Sequence, residues 1–195
     1  MKRRWLPVAL ALLTSGCGYN RIQTLDEQAS AAQSQIQVQL QRRADLIPNL
    51  VNTVKGYAQH EEEIFNNVAN ARSRLLNAVQ SGDPEQMANA NQGMTGALGR
   101  LLAISENYPN LKADEEFLRL QDELTGTENR IAVARGDYND AVRMYNAYIR
   151  QFPQVLTAKA IGSKDRKYFN ATEAAAAVPK VDFSTPNAPP VPKPK

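Results

Sequence analysis

An apolar residue at every seventh position between residues 117 and 152 constrains this chain more than any other feature. The members of this row are Phe117, Leu124, Ile131, Tyr138, Tyr145 and Phe152. A second row beside it contains Leu120, Thr127, Ala134, Ala141 and Tyr148. Residues three, four and seven apart share one face of an α-helix. The pattern therefore predicts a helix over 117–152, about 54 Å long, which opens after Asp114 and stops at Pro153.

The preceding part of the chain shows the same spacing. Apolar rows cover residues 22–79 and include Leu50, Tyr57, Ile64, Ala71 and Ala78. They predict one long first helix that is kinked at Pro48 and ends at Ser81-Gly82. Asp83 is an N-cap acid followed by a proline, so a second helix is expected to begin there and to end before Pro109. With a short helix over about 154–160, the chain is predicted to be all-α, an antiparallel bundle of long helices.

Five glycines lie inside the predicted second and third long helices. They are Gly93, Gly96, Gly99, Gly126 and Gly136. Each costs about 1 kcal/mol relative to alanine in a helix interior. The first three fall near one face, which indicates either a close approach of a neighbouring helix or a local break. The last two predict some bending of the third helix.

The amino terminus has the pattern of a bacterial lipoprotein signal. Three basic residues at 2–4 precede an apolar run at 6–13, and Cys17 follows two small residues. The apolar run is too short to span a bilayer, which needs about 20 residues. We expect cleavage before Cys17 and lipidation of its thiol, although Thr14 stands where leucine is commonest. The alternatives are an ordinary cleaved signal with a stray cysteine and an uncleaved signal anchor.

These segments define the expected domain organisation. Residues 1–16 are the predicted signal peptide, 17–21 a tether, 22–183 the helical bundle, and 184–195 a proline-rich tail that is extended or disordered. The protein is expected on the exported side of a membrane. Gly18, rather than aspartate, follows the cysteine, which in a two-membrane bacterium resembles a signal for the periplasmic face of the outer membrane. In a one-membrane bacterium it predicts the outer face of the cell membrane.

Charge and residue counts limit the chemistry. The formal charge of +3 comes from the three basic residues of the signal, so the mature chain is neutral and does not indicate a nucleic-acid partner. One cysteine and one histidine exclude disulfides within the chain and His/Cys metal clusters. His60-Glu61 begins like the zinc motif of a metalloprotease, but Ile64 occupies the place of the second histidine. We therefore predict no metal, no cofactor and no enzymatic activity.

Two groups of polar residues are candidate functional or structural sites. The first is a segment around the predicted kink, which either binds a partner through exposed carbonyls and charges or only sets the bend. It contains Arg42, Arg43, Asp45, Pro48 and Asn49. The second is a set of polar residues on the third long helix, Gln121, Glu128 and Arg135. These residues either lie in solvent on the bundle flank or form a polar layer that fixes helix register, with partners among Arg42, Arg43 and Asp45.

Several of these segments resemble the LemA family of bacterial proteins. The most specific is QVQLQRRADLIPNLV at 37–51, which continues through residues 54–61. ENYPNL at 106–111, LQDELTGTENRI at 120–131, RQFP at 150–153 and VPKVDF at 178–183 are also similar. The resemblance implies a bundle of long antiparallel helices attached to a bacterial membrane by its amino terminus. Family members commonly have one spanning helix there, and the short apolar run of this chain departs from that pattern.

The family resemblance implies no established biochemical activity, so function is argued from the surfaces that long helices present. The first hypothesis is a membrane-tethered scaffold or adaptor of the cell envelope that binds a protein partner through its bundle. The alternative is a homo-oligomer that assembles on the membrane and organises or shapes it. An enzyme is the third and weakest hypothesis.

Overall fold

The computed structural model describes residues 6–170, with side chains from Gly18 onward. Six α-helices follow one another in this part of the chain. They are α1 (Leu6–Lys55), α2 (Glu62–Ser81), α3 (Pro84–Ala103), α4 (Pro109–Lys112), α5 (Glu115–Arg150) and α6 (Gln154–Ala160), with a 3₁₀ turn at Ile104–Glu106 after α3. These residues contain no strand, which confirms the predicted all-α class.

The two longest helices, α1 and α5, form an antiparallel spine. Near the start of α1, Ile22 packs in one cluster with Tyr145 and Ile149 from the end of α5. Further along α1, Arg43 contacts Glu128 of α5. The start of α1 thus lies beside the end of α5, and the two helices run in opposite directions. The 50 residues of α1 make a helix about 75 Å long.

Helices α2 and α3 form a hairpin that packs against α1. The Nε2 of Gln33 donates to the carbonyl of Gly82 at 2.6 Å, and the Nε2 of Gln37 donates to the carbonyl of Val79 at 3.2 Å. Side chains of α1 thus satisfy carbonyls at the carboxyl end of α2. Gly82 has a φ of 67°, a left-handed conformation that favours glycine at a helix end. The predicted stop at Ser81-Gly82 is confirmed.

The predicted apolar rows of the third long helix face the core. The buried members are Phe117, Leu120, Leu124, Thr127, Ile131, Ala134, Tyr138, Ala141 and Tyr145. Tyr148 is partly buried. The assignment of Phe152 to this row was wrong, because α5 ends at Arg150 and the side chain of Phe152 is 80% exposed. The sequence repeat extends two residues beyond the helix that it describes.

The prediction of one continuous helix over 22–79 was also wrong. The chain leaves the helix after Lys55, turns through residues 56–61, and re-enters helix at Glu62. Lys55 at the end of α1 and two glutamates in the first turn of α2 complement the helix dipoles on either side of the turn. Tyr57 lies in the turn, where its hydroxyl donates to Asp114 Oδ2 at 2.7 Å. The apolar rows predicted for one helix therefore run through two separate helices, α1 and α2.

Two predicted helix starts are confirmed by their caps. Asp83 Oδ1 accepts hydrogen bonds from the backbone N–H groups of Glu85 and Gln86, at 2.9 and 3.1 Å. Asp114 Oδ1 accepts from the N–H of Phe117 at 2.8 Å. Each carboxylate satisfies backbone donors that have no partner inside the helix. The short helix expected over about 154–160 is present as α6.

The three glycines of α3 follow neither interpretation of their spacing. A Cβ atom added at Gly93, Gly96 or Gly99 would meet no atom within 4 Å. Helix α3 is continuous through all three residues. They face open space, so neither the close helix approach nor the local break was correct.

A non-helical segment after α6 runs back along α5. The hydroxyl of Tyr138 donates to the carbonyl of Lys167 at 2.8 Å, and the Nδ2 of Asn146 donates to the carbonyl of Arg166 at 2.9 Å. The ring of Phe169 is buried in the main core. This segment therefore belongs to the fold. The predicted proline-rich tail at 184–195 lies outside the described residues.

In the part of the chain from residue 6 to residue 170, no helix combines the length and the apolar character needed to cross a bilayer.

Candidate functional site

A buried guanidinium joins three of the four long helices. Arg43 of α1 donates from Nη1 to Asn91 Oδ1 of α3 at 2.6 Å, and from Nη2 to Thr95 Oγ1 of α3 at 3.1 Å. Its Nη1 also forms an ion pair with Glu128 of α5. The hydroxyl of Thr95 in turn donates to the carbonyl of Asn91 at 3.1 Å. We call these four residues the Arg43 cluster.

The two charged members of this cluster are buried to different extents. The side chain of Arg43 is 5% exposed, whereas that of Glu128 is 40% exposed. Burial lowers the pKa of Arg43, and the charge of Glu128 opposes that effect. The Nε of Arg43 is buried and has no hydrogen-bond partner among the described residues. The contacts of the Arg43 guanidinium lie on two neighbouring helices, so the cluster links α1 to α3 and to α5.

The three polar residues predicted on α5 have different surroundings. Glu128 contacts Arg43, one of the three partners suggested from the sequence. The guanidinium of Arg135 lies over the ring of Phe169, 5.2 Å from its centroid, while its Nε is buried without a hydrogen-bond partner in residues 18–170. Gln121 is partly exposed and contributes its backbone carbonyl to Thr125 Oγ1 at 2.9 Å. Of the three, only Glu128 belongs to the Arg43 cluster.

The segment around Pro48 is divided between two faces of α1. Arg43 points into the bundle, whereas Arg42, Asp45, Pro48 and Asn49 are exposed. Asp45 Oδ1 accepts from Gln41 Nε2 at 2.9 Å, within the same helix. The exposed residues thus form a surface, and Arg43 is part of the core behind it.

The hydrogen bond that Pro48 removes from α1 is replaced by a side chain. Proline has no N–H group, so the carbonyl four residues earlier, that of Ala44, loses its partner in the helix. The Nε of Arg72 on α2 donates to this carbonyl at 2.8 Å. The carbonyl of Ala44, one of those that a kink at Pro48 could expose to a partner protein, is therefore bonded within the same chain. The bend expected at Pro48 stays a prediction.

The α2–α3 hairpin carries an open groove on its outer side, about 700 Å³ in volume. Half of its lining residues are alanines and glycines: Ala71, Ala78, Ala90, Gly93, Gly96 and Ala97. Amides and two arginines line the rest: Asn67, Asn77, Gln86, Asn89, Arg74 and Arg100. None of these described lining residues carries a carboxylate. This groove was not predicted from the sequence, although two of the three glycines noted there, Gly93 and Gly96, lie along one side of it.

The predicted lipidation site lies toward the opposite end of α1 from this groove. The backbone of Cys17 belongs to α1, and its side chain lies outside the described residues. The next residue, Gly18, is buried against α6, where an added Cβ would lie 3.4 Å from Gln154 Cγ and 3.8 Å from Thr157 Oγ1. Helix α6 therefore packs beside the residue that follows Cys17.

These features define the chain as an all-α protein of long antiparallel helices, with a buried ionic cluster at its centre and an open groove on its α2–α3 hairpin. Its sequence matches the family model described as the LemA family over residues 32–183. The chain belongs to the LemA family.

Three relatives extend this comparison. The chain is 29% identical over 187 residues to magnetosome protein MamQ 2 of Paramagnetospirillum magneticum, covering 84% of this chain and 69% of that protein. It is 29% identical to magnetosome protein MamQ of Magnetospirillum gryphiswaldense, covering 78% of this chain and 64% of that protein. It is 26% identical to protein LemA of Metamycoplasma hominis, covering 79% and 68% of the two chains.

Proposed function

We propose that this chain is a membrane-anchored lipoprotein that acts as a non-enzymatic adaptor of the cell envelope. Cys17 carries the lipid, and the groove between α2 and α3 receives a helix of a partner protein. The observation that carries this proposal is the position of the groove, on a hairpin packed along the same helix that contains the anchor. A rigid helix sets the distance between a membrane and a binding surface, which a flexible tether does not.

The distance follows from the contacts that align α1 with the hairpin. Gln37 contacts the end of α2, and Lys55 lies over the ring of Phe65 near its start, 5.1 Å from the centroid. These two α1 residues follow Cys17 by 20 and 38 positions, so the groove extends from about 30 Å to about 57 Å along the helix axis. A lipid with two or three acyl chains would anchor the protein stably, because each buried CH₂ contributes about 0.8 kcal/mol.

The groove lining favours one kind of partner. Its alanines and glycines have small side chains or none, which permits the backbone of another helix to approach closely. Arg74 and Arg100, with no carboxylate among the described lining residues, give the groove a positive charge. The amides supply hydrogen-bond donors and acceptors along its edges. An amphipathic helix with small residues on one face and acidic residues beside them fits this surface.

The test is chemical crosslinking in cells that produce the full-length chain, followed by capture and mass spectrometry of the adducts. Gly93→Leu places a bulky side chain in the groove at a position where its Cβ meets no atom within 4 Å. Gly136→Leu is the matched control, since Gly136 is equally open but lies on α5. We expect one partner that is crosslinked through an acidic helix to the wild type and to Gly136→Leu, but not to Gly93→Leu.

Cys17→Ser tests the anchor in the same experiment. The adaptor proposal predicts that this variant leaves the membrane fraction and loses the partner. Adducts that contain only copies of this chain would refute the adaptor proposal and favour assembly of the protein on the membrane.

A further inference from the structure

Four large apolar side chains are exposed at the end of the bundle where α5 meets α6. Phe152 and Leu156 are 80% and 60% exposed, and Tyr19 and Ile161 are also exposed. We call these four residues the apolar tip. Single exposed apolar residues are ordinary on protein surfaces, whereas several of them at one end of a bundle, among them an aromatic ring this exposed, are a candidate contact surface for another apolar phase.

The local fold explains why these residues point outward. Helix α6 turns Ala158 into the cluster that contains Ile22 and Leu25 of α1. Leu156 lies two residues earlier and therefore on the outer side of α6. Phe152 lies in the turn between α5 and α6, outside either helix. Neither Phe152 nor Leu156 belongs to the clusters of buried core residues.

The tip lies beside the predicted anchor. Gly18 packs against Gln154, two residues after Phe152. Tyr19 is the second residue after Cys17. The apolar tip is therefore next to the part of the chain that the proposed function places at the lipid.

The charges at this end favour an anionic surface. Arg150 pairs with Asp165, and Arg166 pairs with Asp26. Lys159 and Lys164 are exposed, and neither has an ion-pair partner within residues 18–170. Aromatic rings together with lysines whose stems lie along apolar surface are typical of segments in the interfacial layer of a membrane.

We propose that the apolar tip inserts into the interfacial layer of the membrane that holds Cys17, with an anionic phospholipid surface as its ligand. This inference rests on the proposed lipid anchor. It adds a second attachment point, which fixes the orientation of α1 relative to the bilayer. The groove on α2 and α3 is then held away from the surface rather than lying on it.

A tryptophan placed in the tip reports insertion directly. Trp5 is the only tryptophan of the chain and lies in the predicted signal peptide, so the mature lipoprotein that begins at Cys17 offers a background without this fluorophore. Phe152→Trp adds the reporter at the tip. Val133→Trp is the matched control, because Val133 is 65% exposed on α5, far along the helix from the tip. Both proteins are reconstituted in phosphatidylethanolamine and phosphatidylglycerol vesicles, with and without bromine on the acyl chains.

We expect bromine to reduce the emission of the Phe152→Trp protein by roughly half, since an insertion of about 5–10 Å brings the ring to the acyl boundary. The emission of the Val133→Trp protein should not change. Equal quenching of the two proteins would overturn the inference. So would a blue-shifted emission of the Phe152→Trp protein without quenching, which would mean that a second copy of the chain covers the tip.

Flotation of the same vesicles separates this inference from the proposed function. If the Phe152→Trp protein floats with the vesicles but is not quenched, it has its anchor but no inserted tip, so only the tip inference fails. Protein that does not float lacks the anchor as well, and both proposals fail.

Discussion

Removal of Glu128 leaves a buried positive charge in the middle of the bundle. Loss of one partner of a buried ion pair typically costs about 3–5 kcal/mol. The side chain of Arg43 is 5% exposed and gains little water, whereas that of Glu128 is 40% exposed, so water already screens part of the interaction. Asn91 and Thr95 remain as acceptors. We therefore expect Glu128→Ala to lower the free energy of unfolding by about 2–3 kcal/mol, at or below the lower end of that range.

The assay is urea unfolding of the detergent-solubilised protein, followed by far-ultraviolet circular dichroism. Arg43→Met removes the buried charge itself and should cost less than Glu128→Ala, because Glu128 can turn to solvent. In the double variant the two effects should not add, and a coupling of about 0.5–3 kcal/mol is expected for groups in contact. Asp140→Ala is the control, since Asp140 pairs with Arg143 on the exposed face of the same helix. If Glu128→Ala and Asp140→Ala shift the unfolding midpoint equally, the reasoning about the Arg43 cluster is refuted.

Three further predictions concern stability and use the same unfolding assay. Gly93→Ala should stabilise the protein by about 0.5–1 kcal/mol, because the added Cβ enters open space in a helix; a loss of stability would mean that the groove is closed. Asp83→Ala should cost about 1 kcal/mol by removing an N-cap. Hydrogen bonds from Lys167 and from the backbone of Gln86 hold the pKa of Asp83 in the folded protein below its usual range. The ionised carboxylate therefore contributes its full stabilisation at a pH above the pKa of the unfolded chain, about 3.9, and this contribution is lost as the pH falls through the lower pKa of the folded protein. The gap between wild type and Asp83→Ala should thus shrink only in acid, and a gap that is unchanged there would refute the role of the charge. Arg72→Met should destabilise the wild type more than it destabilises Pro48→Ala, in which the carbonyl of Ala44 regains a backbone donor; equal effects would mean that the bond from Arg72 does not replace the missing one.

Local chemistry made much of this fold predictable. The seven-residue row from Phe117 to Tyr145 lies in the core, and the carboxylates of Asp83 and Asp114 cap the helices that follow them. The apolar spacing and the helix caps both depend on residues that are close together in the chain, so both can be recognised in a single sequence. The predictions failed where a local pattern continued past the end of its helix, as at Phe152.

The turn at 56–61 shows a different limit. Tyr57 and Ile64 continue the apolar spacing of α1, and Gly56 is a weak signal of a break because a glycine is tolerated inside a helix. What favours the turn is tertiary: Tyr57 bonds to Asp114 just before α5, and α2 packs back on α1. Neither contact is visible in the local sequence.

The candidate sites could likewise be predicted only where local sequence signals, rather than tertiary contacts, define them. The sequence identified Arg43 and Glu128 as polar residues at helical positions that require partners, and it suggested their pairing as one option. It did not place Asn91 and Thr95 beside them, because α3 meets α1 only through the packing of the hairpin. The groove was missed for the same reason, since its two walls come from different helices.

The adaptor proposal is tested most directly by photocrosslinking from inside the groove in living cells. A photoreactive amino acid at Gly96 lies in the groove, and the same residue at Gly126, where an added Cβ also meets nothing within 4 Å, samples α5 instead. The proposal predicts a discrete adduct with one envelope protein from Gly96, none of that adduct from Gly126, and loss of the Gly96 adduct in Cys17→Ser. The same adducts from both positions, or adducts only between copies of this chain, would contradict it.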